Sequence, residues 1–397
     1  MAKAIKNPIP VNDSGWQLGG DCHSIQLATG RLDIRVDRTL IALNDLCDFA
    51  SRRNPKRGFL FVSKVLGKHI PVRPTTMRSA HALIASQIPR DLPGPVVFIG
   101  MAETAIHLGH GVFEQYARRT GREDILFTHS TRYRLDHHVA LEFLEEHCHA
   151  ADHIIYQPQD PVARAMFQNA RSLVLVDDEA STGKTLVNLT NAFKTKMPSL
   201  DCVVTAMLTD WRGEQRRSQT HASMPVPAMS VAILEGQYEF SPAPNLVAVP
   251  MPQATGNGAF KDAILPRNYG RLGLLWQPDD HYPTDAASRL GKKMMGGEKT
   301  LVLGTGEFAY PPFRLAETLE AQGGDVWYQT TTRSPIMTGG AIATAISFQD
   351  NYDDGIQNYV YNVRPDQYRR VLVCHETPAA TLDPQMIKAL GADNVQF

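Results

Sequence analysis

The sequence predicts an α/β protein with a mostly parallel, doubly wound sheet, followed by a second, smaller α/β unit. Three observations carry this reading. Short apolar runs alternate with helical patterns over roughly 95–235. The alternation fades over 236–297, a stretch rich in Pro, Gly and Asn. It resumes at TLVLG, residues 300–304. The expected division is a first domain over 25–235, a connecting arm over 236–297 and a tail domain over 298–397.

Taken in order, LIALNDLCDFA (40–50) has apolar residues at helical spacing. GFLFVSKVLGKHIPV (58–72) reads as two short strands around a Gly67-Lys68 turn. PVVFIG (95–100) is a buried strand, and the helix after it stops near Gly121. DILFTHS (124–130) is a strand, and the polar TRYRLDHH leads into a helical VALEFLEEH. HIIY (153–156), a helix over 160–170, LVLVDD (173–178), a helix over 184–197 and CVVTAML (202–208) complete the first domain. The tail offers strands at 300–304, 325–329 and 371–375, with helices over 314–322, near 341–348 and over 384–391.

Length and charge narrow the function. At roughly 150 residues per domain, 397 residues allow two or three domains. A net charge of -1 removes the electrostatic case for nucleic-acid or membrane-surface binding. No apolar run is long enough for a membrane span, and MAKAIKNPIPVNDSG lacks a signal-peptide core. Five widely spaced cysteines without a CxxC argue against a disulfide or zinc framework, so a reducing cytoplasm is expected.

The chemistry concentrates in LVLVDDEASTGKT, residues 173–185. It is not a nucleoside-triphosphate loop: that motif needs a first Gly where Asp178 stands. Instead an apolar strand delivers Asp177 and Asp178 to its carboxyl end, where ligands bind in open α/β sheets. Adjacent carboxylates accept hydrogen bonds from a cis-diol. The turn Ala180, Ser181, Thr182, Gly183, Lys184, Thr185 opens a helix and suits one phosphate monoester. A diol plus a terminal phosphate spells a 5-phosphoribosyl group.

This motif resembles the phosphoribosyl-pyrophosphate (PRPP) motif of type I phosphoribosyltransferases. FIGMAETA (98–105) resembles the family's pyrophosphate loop, so Met101, Ala102, Glu103 and Thr104 are expected to face pyrophosphate. Such loops often hold a non-proline cis peptide. Glu103 is unexpected beside an anion, and opening the next helix is the favoured role. THSTRYRLDHH (128–138) lies where the family carries a mobile closing loop, which puts Arg132 and Arg134 on the pyrophosphate. The stretch around Lys64 and Lys68 lies where the family keeps a hood over the base, so both could contact an anionic base such as orotate. The tail contains QTTTRSP (329–335), GTGEFAYPPF (304–313) and DNYDDGIQNYVYN (350–362). It resembles the TRSP domain that follows orotate-type phosphoribosyltransferase domains in tellurium-resistance gene clusters.

The resemblance implies a type I phosphoribosyltransferase fold with its hood, then a smaller Rossmann-like α/β domain. It implies Mg²⁺, carried by PRPP with Asp177 and Asp178 as candidate ligands, and the catalytic set Asp177, Asp178, Arg132 and Arg134. PRPP and a small base are the expected partners, with no nucleic acid or membrane, and a homodimer is the assembly carried as an expectation. In the tail, Thr305, Gly306, Glu307, Thr332, Arg333, Ser334 and His375 are expected to converge on a second anion site at neighbouring strand ends. EHCHA (146–150) reads as a helix end rather than a metal site, and His137-His138 as a loop pair. Two alternatives stand beside the enzyme: a PRPP or nucleotide sensor with the tail as output, and a hydrolase centred on the tail.

Overall fold

The structure is a computed structural model, described for residues 16–52, 57–143, 153–244, 256–278 and 297–397. Among these, the elements in chain order begin with β1 (Gln17–Leu18), β2 (Cys22–Leu27), β3 (Gly30–Thr39), α1 (Leu43–Leu46), β4 (Cys47–Ser51) and β5 (Phe59–Ser63). They continue with α2 (Pro74–Gln87), β6 (Val96–Gly100), α3 (Ile106–Thr120), β7 (Ile125–His129), β8 (Val139–Phe143), β9 (His153–Tyr156) and α4 (Pro161–Gln168). Next come β10 (Ser172–Ala180), α5 (Lys184–Lys196), β11 (Cys202–Asp210), α6 (Gly213–Ala222), β12 (Ala228–Pro242) and β13 (Leu274–Leu275). The tail holds β14 (Thr300–Gly304), α7 (Tyr310–Ala321), β15 (Val326–Thr330), β16 (Ala345–Gln349), β17 (Gln357–Tyr361), β18 (Arg370–His375), α8 (Pro384–Leu390) and β19 (Asp393–Gln396).

The chain divides into two compact units. One is drawn from stretches 1–79, 236–257 and 282–397, the other from 80–235 and 258–281. The second unit carries strands in the order β12-β11-β10-β6-β7-β13. Every neighbouring pair is parallel except β7 with β13. Val96–Gly100 and Ile125–His129 are buried throughout, the mark of parallel strands covered on both faces. Each buried Val, Ile or Leu there contributes about 1.5–3 kcal/mol. Helix signals hold where the chemistry is local. Asp160 caps α4 by accepting from the Val162 and Ala163 amides at 2.9 Å, worth about 1 kcal/mol. Gly121 closes α3 in the left-handed conformation.

The first unit holds a parallel sheet in the order β15-β14-β18-β19. Its core is built from Leu301, Leu303, Val371, Val373, Met386 and Leu390. Beside it stand the antiparallel pairs β16–β17 and β4–β5. The N-terminal segment is part of this unit. Val72 exchanges backbone hydrogen bonds with Tyr328 at 2.9 and 2.8 Å, and the Thr330 amide donates to the Gly67 carbonyl at 2.8 Å. Arg73 pairs with Asp325 and Arg78 with Glu317, both at 2.6 Å.

Four element expectations need correction. The helix over 40–50 is one turn, and Cys47–Ser51 is a strand paired with β5. No hairpin turns at Gly67-Lys68; β5 pairs backward to β4, and the chain goes on to β15. VALEF is strand β8, because Leu141 and Phe143 also satisfy a period of two and bury one face. The rest of that expected helix, and EHCHA, lies outside the described residues. The helix near 341–348 is instead β16, paired in register with β17.

Candidate active site

β10 positions the site. Its first five residues are buried, and Asp177, Asp178 and Glu179 emerge half-buried at its carboxyl end. The Asp178 amide donates to Asp177 Oδ1 at 2.9 Å, folding that carboxylate back over the next peptide. After Ala180 the chain turns through Ser181, Thr182 and Gly183 into α5. Gly183 has φ of 77°, and a Cβ there would stand 2.7 Å from Thr220 Cγ2, so glycine is required on both counts. Among the described residues, the amides of Ser181, Thr182, Gly183 and Thr185 have no hydrogen-bond partner. They stand at the positive end of a 13-residue helix, where an anion is favoured.

The loop Met101–Thr104 follows β6, the parallel neighbour of β10, and the Met101 amide donates to the Val176 carbonyl at 3.0 Å. The loop therefore starts beside Asp177. Its Ala102-Glu103 peptide is cis. The Ala102 amide donates to Ser130 Oγ at 2.9 Å, which also meets His153 Nδ1 at 2.9 Å. Glu103 is buried and precedes α3.

Sequence reasoning missed what lies behind the turn. Asp210 ends β11, and Trp211 donates its amide to the Ala180 carbonyl at 2.8 Å. Arg212 binds both Asp210 oxygens through Nε and Nη2, at 2.8 and 2.7 Å, with neither side chain exposed. Arg217 pairs with Glu235 at 2.6 Å. Ser230 Oγ gathers Arg212, His221 and Thr205 within 2.8 Å. Burial works against the charge of Asp210, yet the Arg212 guanidinium holds its carboxyl below the usual range. Burial, with the nearby Arg212 and Arg217 charges, pushes the His221 imidazole down. Arg212 Cδ would lie 3.2 Å from a Cβ on Gly183, so this balanced ionic network backs the turn. The signal available in the sequence was DWRGEQRR, directly after a strand.

The other expected residues fall as follows. Arg134 pairs with Glu142 at 2.9 Å. Arg132 lies two residues beyond Ser130, whose amide donates to the Gly100 carbonyl. The segment expected to be a loose closing loop is tied on both sides. Thr131 and Ile154 exchange backbone hydrogen bonds, Tyr156 Oη accepts from the Leu135 amide, and Lys261 donates its amide to Arg134. Lys64, expected at an anionic base, binds Asp48 at 3.0 Å and the Asn44 carbonyl. Lys68 is buried in the first unit, where its carbonyl accepts from Gln329.

In that unit the tail residues do converge, since β14 lies between β15 and β18 and all run parallel. Their polar groups meet one another, however. The Gly306 amide donates to Thr331 Oγ1 at 2.8 Å instead of facing an anion, and Thr305 Oγ1 donates to the Cys374 carbonyl. The Ser334 amide meets Thr332 Oγ1, and Ser334 Oγ accepts from Arg52. His375 Nδ1 lies 2.7 Å from the Thr377 carbonyl. Glu307 and Glu376 are buried there, and Tyr352 donates to Glu376 at 3.0 Å.

Residues 46–237 match the family model described as phosphoribosyl transferase, and residues 268–390 match the TRSP domain, C-terminal to that family. No curated protein matches the chain. Among solved structures, adenine phosphoribosyltransferase from Rhodothermus marinus is similar at 18% identity and TM-score 0.29, covering 48% of this chain and 95% of that one. The Trypanosoma brucei adenine enzyme, in complex with AMP, pyrophosphate and ribose-5-phosphate, gives 12% and 0.33, covering 48% and 77%. Orotate phosphoribosyltransferase from Aeropyrum pernix gives 17% and 0.27, covering 44% and 79%. The parallel-dominated sheet with β10 and its turn is the expected type I phosphoribosyltransferase fold, and the β15-β14-β18-β19 sheet belongs to the smaller α/β domain that follows it in the chain. Taken in chain order, one segment of this chain matches a phosphoribosyl transferase model and the segment after it matches the TRSP domain.

Proposed function

We propose that the chain is a Mg-dependent enzyme that moves 5-phosphoribose from PRPP to a nitrogenous base and releases pyrophosphate. One observation carries this reading: Asp177 and Asp178 stand near the carboxyl end of β10, followed by Glu179 and Ala180 and then by a turn whose amides have no partner among the described residues and which opens α5, with the 101–104 loop beginning one strand away. The turn and the helix dipole would hold the 5-phosphate. Asp177 and Asp178 would accept from the ribose hydroxyls. As the bond from the anomeric carbon to pyrophosphate breaks, positive charge grows on the ribose. The two carboxylates stabilise that charge. The base nitrogen then bonds to the same carbon, and the 101–104 loop, whose Met101 and Ala102 amides are held by Val176 and Ser130, would line the place of the departing pyrophosphate.

Among the described residues no group of three or more His, Cys, Asp or Glu could hold a metal. The two half-buried carboxylates nevertheless suit a hard cation that keeps most of its oxygen ligands from substrate. Mg²⁺ would be held by Asp177, Asp178 and pyrophosphate oxygens, and would neutralise the pyrophosphate charge. Among the described residues Cys22, Cys47, Cys202 and Cys374 are free thiols. Among the described residues no helix is long and apolar enough to cross a membrane.

A second reading, a PRPP sensor without turnover, is favoured by the ties on residues 131–136, which oppose a closing motion. Mixing protein, Mg²⁺ and PRPP with a panel of bases and following pyrophosphate separates the two. The enzyme predicts base-dependent release that Asp177→Asn abolishes. PRPP binding with no release for any base would favour the sensor.

A further inference from the structure

The second unit contains a concavity away from the β10 turn. Segment 258–278, expected to be part of an arm, returns to the sheet edge. β13 pairs with β7, the Gln159 amide donates to the Leu272 carbonyl at 3.0 Å, and Thr128 Oγ1 donates to the Gly270 carbonyl at 3.0 Å. There lies a cavity of about 110 Å³, partly open to solvent, whose polar walls are His137, Gln159, Arg267, Asn268 and Arg271. The remaining walls are leucine and proline, and no carboxylate lines it.

Each polar wall has a distinct state. Asn268 is committed to its own loop: Oδ1 accepts from the Gly270 and Leu272 amides at 2.9 and 3.1 Å, and Nδ2 donates to the Gly273 carbonyl at 2.8 Å. Arg271 is 3% exposed, with its guanidinium 5.6 Å from the Tyr133 ring centroid. The side chains of Arg267 and Gln159 make no hydrogen bond or ion pair among the described residues. The acid facing His137 is Asp262, at 3.8 Å and outside the lining. Two guanidiniums and a free carboxamide in a concave, acid-free wall favour an anion, and the planar guanidinium fork matches oxyanions with two parallel hydrogen bonds. Cavities of about 150 Å³ admit benzene, so 110 Å³ suits a group of phosphate size.

We propose that this cavity is a site for a phosphate-type oxyanion, separate from the turn after β10. Its occupant would join residues 133–137 to 265–272 and stiffen the segment that carries Arg132 and Arg134. The inference stands independently of the transfer reaction.

The test is hydrogen exchange of the full chain titrated with inorganic phosphate, read separately at 133–137 with 267–272 and at 181–186. Phosphate should protect the first pair of segments. Arg267→Glu should raise the half-saturating phosphate there at least tenfold and leave 181–186 unchanged. Gln159→Glu, a second exposed-side change, should act in the same direction. Protection confined to 181–186, or protection at 133–137 indifferent to both variants, would overturn the site. Equal protection by malonate would overturn the phosphate class.

Discussion

Two strand ends in this molecule look alike in sequence and differ in what they leave free. β10 and β14 both lie in parallel sheets, and both run into a polar turn containing glycine. After β10 the amides of Ser181 to Gly183 have no partner among the described residues, and the support comes from behind, through Asp210, Arg212 and Thr220. After β14 the corresponding groups bind one another: Gly306 to Thr331, and Thr305 to Cys374. Buried Glu307 and Glu376 place two carboxyl groups at that second end. A polar loop at a strand end is therefore a ligand site only where the fold supplies its rigidity from elsewhere and leaves its donors unfilled.

The sharpest way to break this comparison is to remove the support. Arg212→Met takes from buried Asp210 its two-point partner and leaves only Arg217 opposite it at 3.5 Å, which should cost about 3–5 kcal/mol in urea unfolding. A loss below about 1 kcal/mol would mean the network is not holding charge in a closed site. Second, Gly183→Val forces a side chain into a positive φ and against Thr220. Ribose 5-phosphate binding by calorimetry should fall by more than tenfold, whereas Gly306→Ala should leave it unchanged. Third, Asp178→Asn should weaken Mg-PRPP binding at least tenfold, about 1.4 kcal/mol. Glu376→Gln in the tail should not alter it. Equal effects of both would erase the distinction between the two ends.

The smallest effect concerns pH. The folded pKa of His221 is depressed, so its contribution to stability is complete above its ordinary value near 6.5 and is lost as pH falls below it. Asp210, also depressed, contributes above the ordinary carboxylate range and loses that contribution at lower pH. The unfolding midpoint should therefore drop between pH 7 and pH 5. His221→Gln should flatten part of that slope, with His375, depressed by burial, supplying more of the same sign. A slope unchanged in His221→Gln would remove the imidazole from the network.

The site's chemistry was legible where it is local. LVLVDDEASTGKT encodes an apolar strand, its acids and a helix-opening turn within one stretch, and the strand and helix stand as read. The Lys64–Asp48 pair was not legible, because Asp48 lies on a strand whose residues fit a helix: Leu43, Leu46, Cys47 and Ala50 suit a period of 3.6 as well as the turn-then-strand that forms. The backing of Gly183 was not legible, since a motif does not announce what will pack beneath it.

The sequence by itself determined the alternation of strands and helices, the Asp160 and Gly121 helix ends and the acid pair before its turn. Each of these depends on neighbours within a few residues. Tertiary structure alone decided that residues 67–72 join a strand more than 250 positions away, and that 258–278 returns to β7. It also decided that Ala345–Gln349 is a strand. The physical reason is the same in each case. A short apolar run satisfies more than one period, and its backbone donors and acceptors are completed by whichever edge the rest of the chain has already built.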